Sequence, residues 1–145
     1  NRLFNCYKFR TMHMNNQTEQ QATRNDKRIT RVGAFLRKTS LDELPQFFNV
    51  LRGDMSIVGP RPNLITHLNL YGNDMPEYTL RHVIMPGITG YAQISGFRGE
   101  IKEDYLMLKR LEYDLAYMQN WSLTMDFVII GKTILKIFQG DEKAY

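Results

Sequence analysis

A mainly helical α+β domain, with short strands or hairpins set between its helices, is the fold this sequence predicts. Three observations lead there. The last third of the chain carries apolar residues at three- and four-residue steps over two long stretches, the period of an amphipathic helix. Earlier, the strand-like runs are short and are cut by glycine and proline, so they suit small pairings rather than a large sheet. With 145 residues, 43% of them hydrophobic, the chain makes one domain over 1–145 with a core of its own.

Leu3 to Arg10 alternates loosely and is rich in aromatics, which reads as an edge or hairpin strand. His13 to Asp26 is polar and amide-rich, a loop, and Val32 to Arg37 opens a short helix. Ser40-Leu41-Asp42-Glu43 fits a capping box, with Ser40 as the cap and Glu43 folding back onto the cap amide. Leu41, Leu44, Phe48 and Leu51 then form one apolar helical face ending near Gly53. Pro45 lies too deep for the first helical position and loosens the turn beneath the two acids. Met55 to Val58 is a short buried segment, Asn63 to Tyr71 and Pro76 to His82 are short helices, Pro86 to Gly90 is a turn, and Tyr91 to Ser95 a brief strand. Gly96-Phe97-Arg98-Gly99 has the glycine content of a sharply bent loop.

Ile101, Tyr105, Leu108, Leu111, Leu115 and Met118 mark the apolar stripe of a long helix. The final helix runs from Ser122, its cap, to Phe138. It is unusually apolar and has two readings. It is either a buried core helix or an amphipathic helix lying in a membrane interface, its lysines reaching the headgroups. No stretch reaches the roughly 18 apolar residues that cross a bilayer.

Nineteen basic and fifteen acidic residues leave a net charge of +4, a bias too mild for a nucleic-acid binder, so no nucleic-acid partner is expected. The charge is uneven. Arg24, Lys27, Arg28, Arg31, Arg37 and Lys38 face only Asp26, which suits a phosphate-bearing substrate or an acidic membrane surface; a solvated basic face is the alternative. Cys6 is the sole cysteine, which excludes an internal disulfide and a thiolate metal site, and His13, His67 and His82 show no metal-ligand spacing. The chain starts at Asn1 with a strand-like run, as expected of a domain excised from a longer protein.

The chemistry concentrates at Asp42 and Glu43, followed by Arg61 in Gly59-Pro60-Arg61-Pro62. A carboxylate can attack phosphorus or hold a metal, and guanidinium groups neutralise phosphate oxygens. An anionic nucleophile meeting an anionic diphosphate needs positive charge already oriented, for which Arg37, Arg61, the helix start and a divalent cation are candidates. Adjacent residues on a helix point about 100° apart, so Asp42 and Glu43 divide two roles, one attacking and one binding a metal. Pro60 and Pro62 stiffen the backbone on either side of Arg61, as a phosphate clamp requires; a rigid surface turn is the plainer reading.

Several long, ordered motifs resemble the bacterial sugar transferases, the monotopic phosphoglycosyltransferases. They are Lys8-Phe9-Arg10-Thr11-Met12, the run from Asp26 to Gly33, Leu36 to Gln46, Asn49 to Pro62, Pro86 to Gln93, Asp114-Leu115, Asn120 to Leu123 and Lys132-Thr133. Gly96 to Glu100 and Lys143-Ala144-Tyr145 look like the undecaprenyl-phosphate glucose phosphotransferase branch. The resemblance implies transfer of a sugar 1-phosphate, glucose 1-phosphate in that branch, from a UDP-sugar to undecaprenyl phosphate, with release of UMP. It implies Asp42 as the nucleophile, a covalent phosphosugar on it, Glu43 helping to bind Mg2+, and Arg37 and Arg61 on phosphates. Arg28, Arg81, Gln93 and Arg98 lie in or near matching motifs and are further candidates for the substrate site, Arg98 reaching a phosphate from its glycine loop or staying solvated. The implied setting is the cytoplasmic leaflet of the bacterial inner membrane, and a homo-oligomer is compatible with it. The family carries a membrane-inserted segment ahead of its first strand that this sequence lacks, so a catalytic domain without its membrane segment is expected. The competing expectation is a catalytically silent domain that docks on membrane or on other proteins through its last helix.

Overall fold

The computed structural model describes residues 2–13, 26–63, 71–72, 76–99 and 103–139. Most of the expected His13 to Asp26 loop and of the Asn63 to Tyr71 helix, with Ile101, lies outside them. Residues 2–13 form an arm, but among the described residues Leu3 to Arg10 is not a strand; just beyond it Met12 makes an isolated antiparallel bridge with Ile29. Side chains pin this arm instead. Buried Asn49 accepts from the Tyr7 amide at 3.0 Å and donates to the Asn5 carbonyl at 2.8 Å.

Helix α1 (Arg31–Lys38) starts where the Thr30 hydroxyl accepts from the Gly33 amide at 2.8 Å. Gly33 is required there, because a Cβ would run into the Thr11 carbonyl of the crossing arm. After α1 the chain bends sharply at Ser40, a left-handed residue (φ 57°, ψ 14°), a geometry that costs an L-residue about 1 kcal/mol. Ser40 makes no side-chain cap, so the expected capping box does not form: the acids sit on a 3₁₀ turn, Leu41–Glu43. Pro45 ends that turn and leads directly into α2 (Gln46–Leu51), so it starts a helix and does not sit inside one.

The burial of α2 reverses the expectation. Leu44, Phe48 and Leu51 are exposed, Leu51 to 83%, while the polar Gln46 and Asn49 are buried together with Asp42 and Glu43. The apolar period marked an outward face, and the polar side faces the arm and the carboxylates.

Strand β1 (Ser56–Val58) pairs in parallel with β2 (Gly87–Thr89), Ser56 opposite Gly87 and Val58 opposite Thr89. The strand therefore lies where a turn was expected, and Tyr91 to Ser95, expected as a strand, forms the short helix α3 (Tyr91–Ile94). Backbones here touch without side chains between them. A Cβ on Gly59 would meet the Met85 carbonyl at 2.5 Å, one on Gly87 would strike the Gly59 amide, and one on Gly90 the Gly59 carbonyl. A 3₁₀ segment, Pro76–His82, occupies the place expected for a short helix.

Helix α4 (Asp104–Gln119) is the spine. Its Met107 and Leu111 join Tyr71 and Tyr78 in one core cluster, and its Tyr117 joins Val58 and Ile129 in a second. Tyr105 and Leu108, expected on the inner stripe, are exposed; the buried stripe is Met107, Arg110, Leu111, Asp114 and Tyr117. Helix α5 (Leu123–Gln139) begins with the Ser122 hydroxyl accepting from the Met125 amide at 3.2 Å. Tyr117 and Trp121 both donate to the carboxylate of Asp126, fixing the elbow between α4 and α5. On α5 only Ile129 is buried, while Leu123, Phe127, Val128, Ile134, Leu135 and Phe138 are exposed, which overturns the buried-core reading. No described helix is long and apolar enough to cross a membrane.

Candidate active site

The turn Leu41–Glu43 buries both carboxylates, Asp42 8% and Glu43 6% exposed, beneath the arm, whose Phe9 amide donates to the Asp42 carbonyl at 2.9 Å. The two acids face different surroundings. Glu43 gathers three cations. Lys8 Nζ reaches Oε1 at 3.0 Å, Arg61 Nη2 reaches Oε1 while its Nη1 reaches Oε2 at 3.3 Å, and Arg98 Nη2 reaches Oε2 at 3.3 Å. Among the described residues no hydrogen bond or ion pair holds the Asp42 carboxylate.

Their acidities diverge accordingly. Burial, then the adjacent Glu43 charge, raises the Asp42 carboxyl above its ordinary value against the pull of Lys8, Arg37 and Arg98. Burial also pushes Glu43 up, but Arg61, Lys8 and Arg98 outweigh it and hold this carboxyl well below the usual range. Glu43 is thus the stronger acid of the two, and Asp42 the more basic and uncommitted one. Four cations (Lys8, Arg37, Arg61 and Arg98) act on two carboxylates, leaving the site positive enough to receive an anion.

Arg37 comes from the last turn of α1 and donates to the buried Thr11 hydroxyl at 3.3 Å. Arg61 follows β1 in the Gly59–Pro62 turn, whose backbone contact with Gly87 and Gly90 sets its position. Arg98 comes from the loop between α3 and α4, between two glycines in the left-handed region (Gly96 φ 92°, Gly99 φ 99°). The remaining candidates have other partners. Arg28 forks onto Asp26 at 2.6 and 2.9 Å, and other cations dominate at Asp42 and Glu43. Arg81 is 2% exposed, with Nη2 on Asp114 at 2.7 Å and on the Arg61 carbonyl at 3.0 Å. Gln93, buried, donates to the Ile88 carbonyl at 3.2 Å.

A cavity of about 230 Å³ opens beside Glu43. Glu43, Ser40, Gln93, Arg98, Thr89, Thr133 and Lys136 line it together with a larger apolar set, Leu44, Phe47, Ile57, Ile88, Ile94, Ile130, Ile134 and Ile137. Lys8 was missed as a site residue. Its signal was the Lys8-Phe9-Arg10 motif, which carried the resemblance without a role for its lysine.

A match to the bacterial sugar transferase family covers residues 1–140. The chain belongs to that family. Among its curated relatives, a UDP-glucose:undecaprenyl-phosphate glucose-1-phosphate transferase of Xanthomonas campestris pv. campestris is 52% identical over 99% of this chain and 30% of the relative. One of the same name from Klebsiella pneumoniae is 54% identical over 91% of the chain and 29% of the relative. A UDP-N-acetylgalactosamine-undecaprenyl-phosphate N-acetylgalactosaminephosphotransferase of Aeromonas hydrophila is 43% identical over 97% of the chain and 33% of the relative. This bacterial sugar transferase chain therefore spans about a third of the length of these relatives.

Proposed function

We propose that the domain transfers a sugar 1-phosphate, glucose 1-phosphate first among candidates, from a UDP-sugar to undecaprenyl phosphate. The observation that carries this reading is an uncommitted, buried Asp42 with raised basicity on which Lys8, Arg37 and Arg98 act electrostatically. In the first step an Asp42 carboxylate oxygen attacks the phosphorus that bears the sugar. The bond from that phosphorus to the bridging oxygen breaks and UMP leaves with the electron pair. In the second step an oxygen of undecaprenyl phosphate attacks the same phosphorus, and the Asp42 carboxylate departs unchanged. Both steps bring anions together, and Lys8, Arg37, Arg61 and Arg98 supply the opposing charge without having to reorganise. The names of the 52% and 54% identical relatives support the donor and the acceptor.

Magnesium fits this donor set only in company with substrate. Among the described residues no group of three or more histidine, cysteine or acidic side chains is placed to hold a metal, and the Glu43 oxygens are already shared by three cations. Mg2+ is commonly held by one or two carboxylates together with phosphate oxygens, so Glu43 would hold it alongside the diphosphate. Bound there, the ion would neutralise charge on the phosphates and on departing UMP.

The mainly apolar cavity, which Arg98 and Glu43 also line, suits the hydrocarbon chain of the acceptor next to its phosphate. The exposed apolar residues of α5 suit a helix seated in the interface of the cytoplasmic leaflet of the inner membrane. Such a face would equally serve a silent docking module, which has no use for an uncommitted acid within a cationic cluster.

The test is UMP release from UDP-glucose in the presence of detergent-dispersed undecaprenyl phosphate and magnesium, with the full-length protein and its Asp42→Asn variant. Release that requires both the lipid and Asp42 is expected. Undiminished turnover by Asp42→Asn would remove the nucleophile assignment, and no release from a panel of nucleotide sugars would remove the activity.

A further inference from the structure

Arg61 and Arg98 both stand on loops, yet they meet the same carboxylate from separate parts of the chain. The geometry points to a positioning device on α4: Arg110, with the buried Arg81–Asp114 pair, fixes the separation of these two arginines. The inference rests on reading Arg61 and Arg98 as a phosphate clamp.

Arg110 lies 6% exposed on the inner face of α4. Its Nε donates to the Phe97 carbonyl at 3.0 Å and its Nη2 to the Gly99 carbonyl at 3.1 Å. Those are the residues immediately before and after Arg98, so one guanidinium brackets the loop residue from behind. Asp114, one turn along α4, binds Arg81 Nη2, and that same nitrogen donates to the carbonyl of Arg61 itself. Arg81 also lies over the Tyr78 ring, its guanidinium carbon 5.5 Å from the ring centre. One helix face therefore grips both loops, and it does so through main-chain carbonyls, which hold backbone position whatever side chain the loop residue carries.

Packing alone does not call for these groups. The positions flanking them on the inner face of α4 are Met107, Leu111 and Tyr117, and apolar side chains could fill the same volume without the desolvation cost of buried charge. A planar fork bonding two carbonyls is what arginine supplies and lysine cannot. Arg81, a candidate for phosphate binding from sequence, is thereby assigned to positioning: its Nη2 serves both Asp114 and the Arg61 carbonyl, and the side chain is 2% exposed.

The test is a pair of double-mutant cycles on the full-length protein, read by calorimetric affinity for inorganic pyrophosphate, with UMP release from UDP-glucose assayed in parallel. Arg110→Lys is expected to weaken pyrophosphate binding about tenfold in the parent, and less than about twofold once Arg98→Ala is present, because its effect passes through Arg98. Asp114→Asn should lose its effect in the Arg61→Ala background instead. Equal effects in parent and variant backgrounds would overturn the inference, since a general loss of structure is indifferent to which clamp residue is missing. Failure of the parent protein to bind pyrophosphate would overturn it too. Coupling without UMP release would leave the positioning device standing and remove the transferase reading. If Arg110→Lys fails to fold, the Asp114→Asn cycle decides alone.

Discussion

Replacing Glu43 by glutamine removes one charge and leaves three cations facing each other. Glu43 is buried and meets Lys8, Arg61 and Arg98 through both oxygens. Breaking a buried ion pair from one side costs about 3–5 kcal/mol. Here the side chains of Lys8 and Arg61 are 42% and 22% exposed and Asp42 stays nearby, so the discounted cost is about 3 kcal/mol. For a domain of this size that lowers the melting temperature by roughly 10 °C. Scanning calorimetry in chloride and in pyrophosphate measures it. Glu43→Gln should melt lower in chloride and should recover more than the parent in millimolar pyrophosphate, because phosphate oxygens take the place the carboxylate has left. The sign with pH follows from the lowered pKa of Glu43. Its stabilisation is complete above the ordinary glutamate value of about 4.3 and fades as pH falls through that value toward the lower folded one, so parent and variant should converge in acid. A melting difference under about 2 °C at pH 7, or an equal response of both proteins to pyrophosphate, would refute the reasoning.

Lys8→Met removes a charge that lowers the Asp42 pKa, so the acid limb of UMP release should move to higher pH; an unchanged or lowered limb would show that Lys8 does not act on the nucleophile. Asn49→Ala unpins the arm at Asn5 and Tyr7 and should cost about 1–3 kcal/mol in a denaturant titration, with a raised KM for the nucleotide sugar as Lys8 loses its seat. Gly33→Ala drives a methyl into the Thr11 carbonyl and should destabilise by at least about 1–3 kcal/mol, read by the same titration. Calorimetric titration with Mg2+ should show millimolar or weaker binding to the protein alone and much tighter binding once UDP is present; tight binding to the protein alone would contradict a metal shared with the diphosphate.

The pair Asp42-Glu43 and the proline-flanked Arg61 were legible because their chemistry is written in consecutive residues. The same holds for the long helices, whose period spans many turns. The reversal at α2 was not legible: Leu44, Phe48 and Leu51 keep a helical period whether that face meets a core or its surroundings, and only the arm crossing the other side decides which. The exchange of turn and strand around Gly87 has a related cause. Three residues carry too little periodicity to declare a strand, and Gly87 forms one because Gly59 lies against it in space. Lys8 and Arg110 reach their partners across 35 and 11–13 positions of sequence, a distance over which local pattern says nothing.

The turn that carries Arg61 rests on the main chain of Gly59, Gly87 and Gly90, with no side chain wedged between them. Main chain packed on main chain has no rotamers to sort through. The main chain beneath Arg61 is consequently set when the protein folds and is not ordered again each time an anion arrives, which spares every encounter the entropy of ordering a loop.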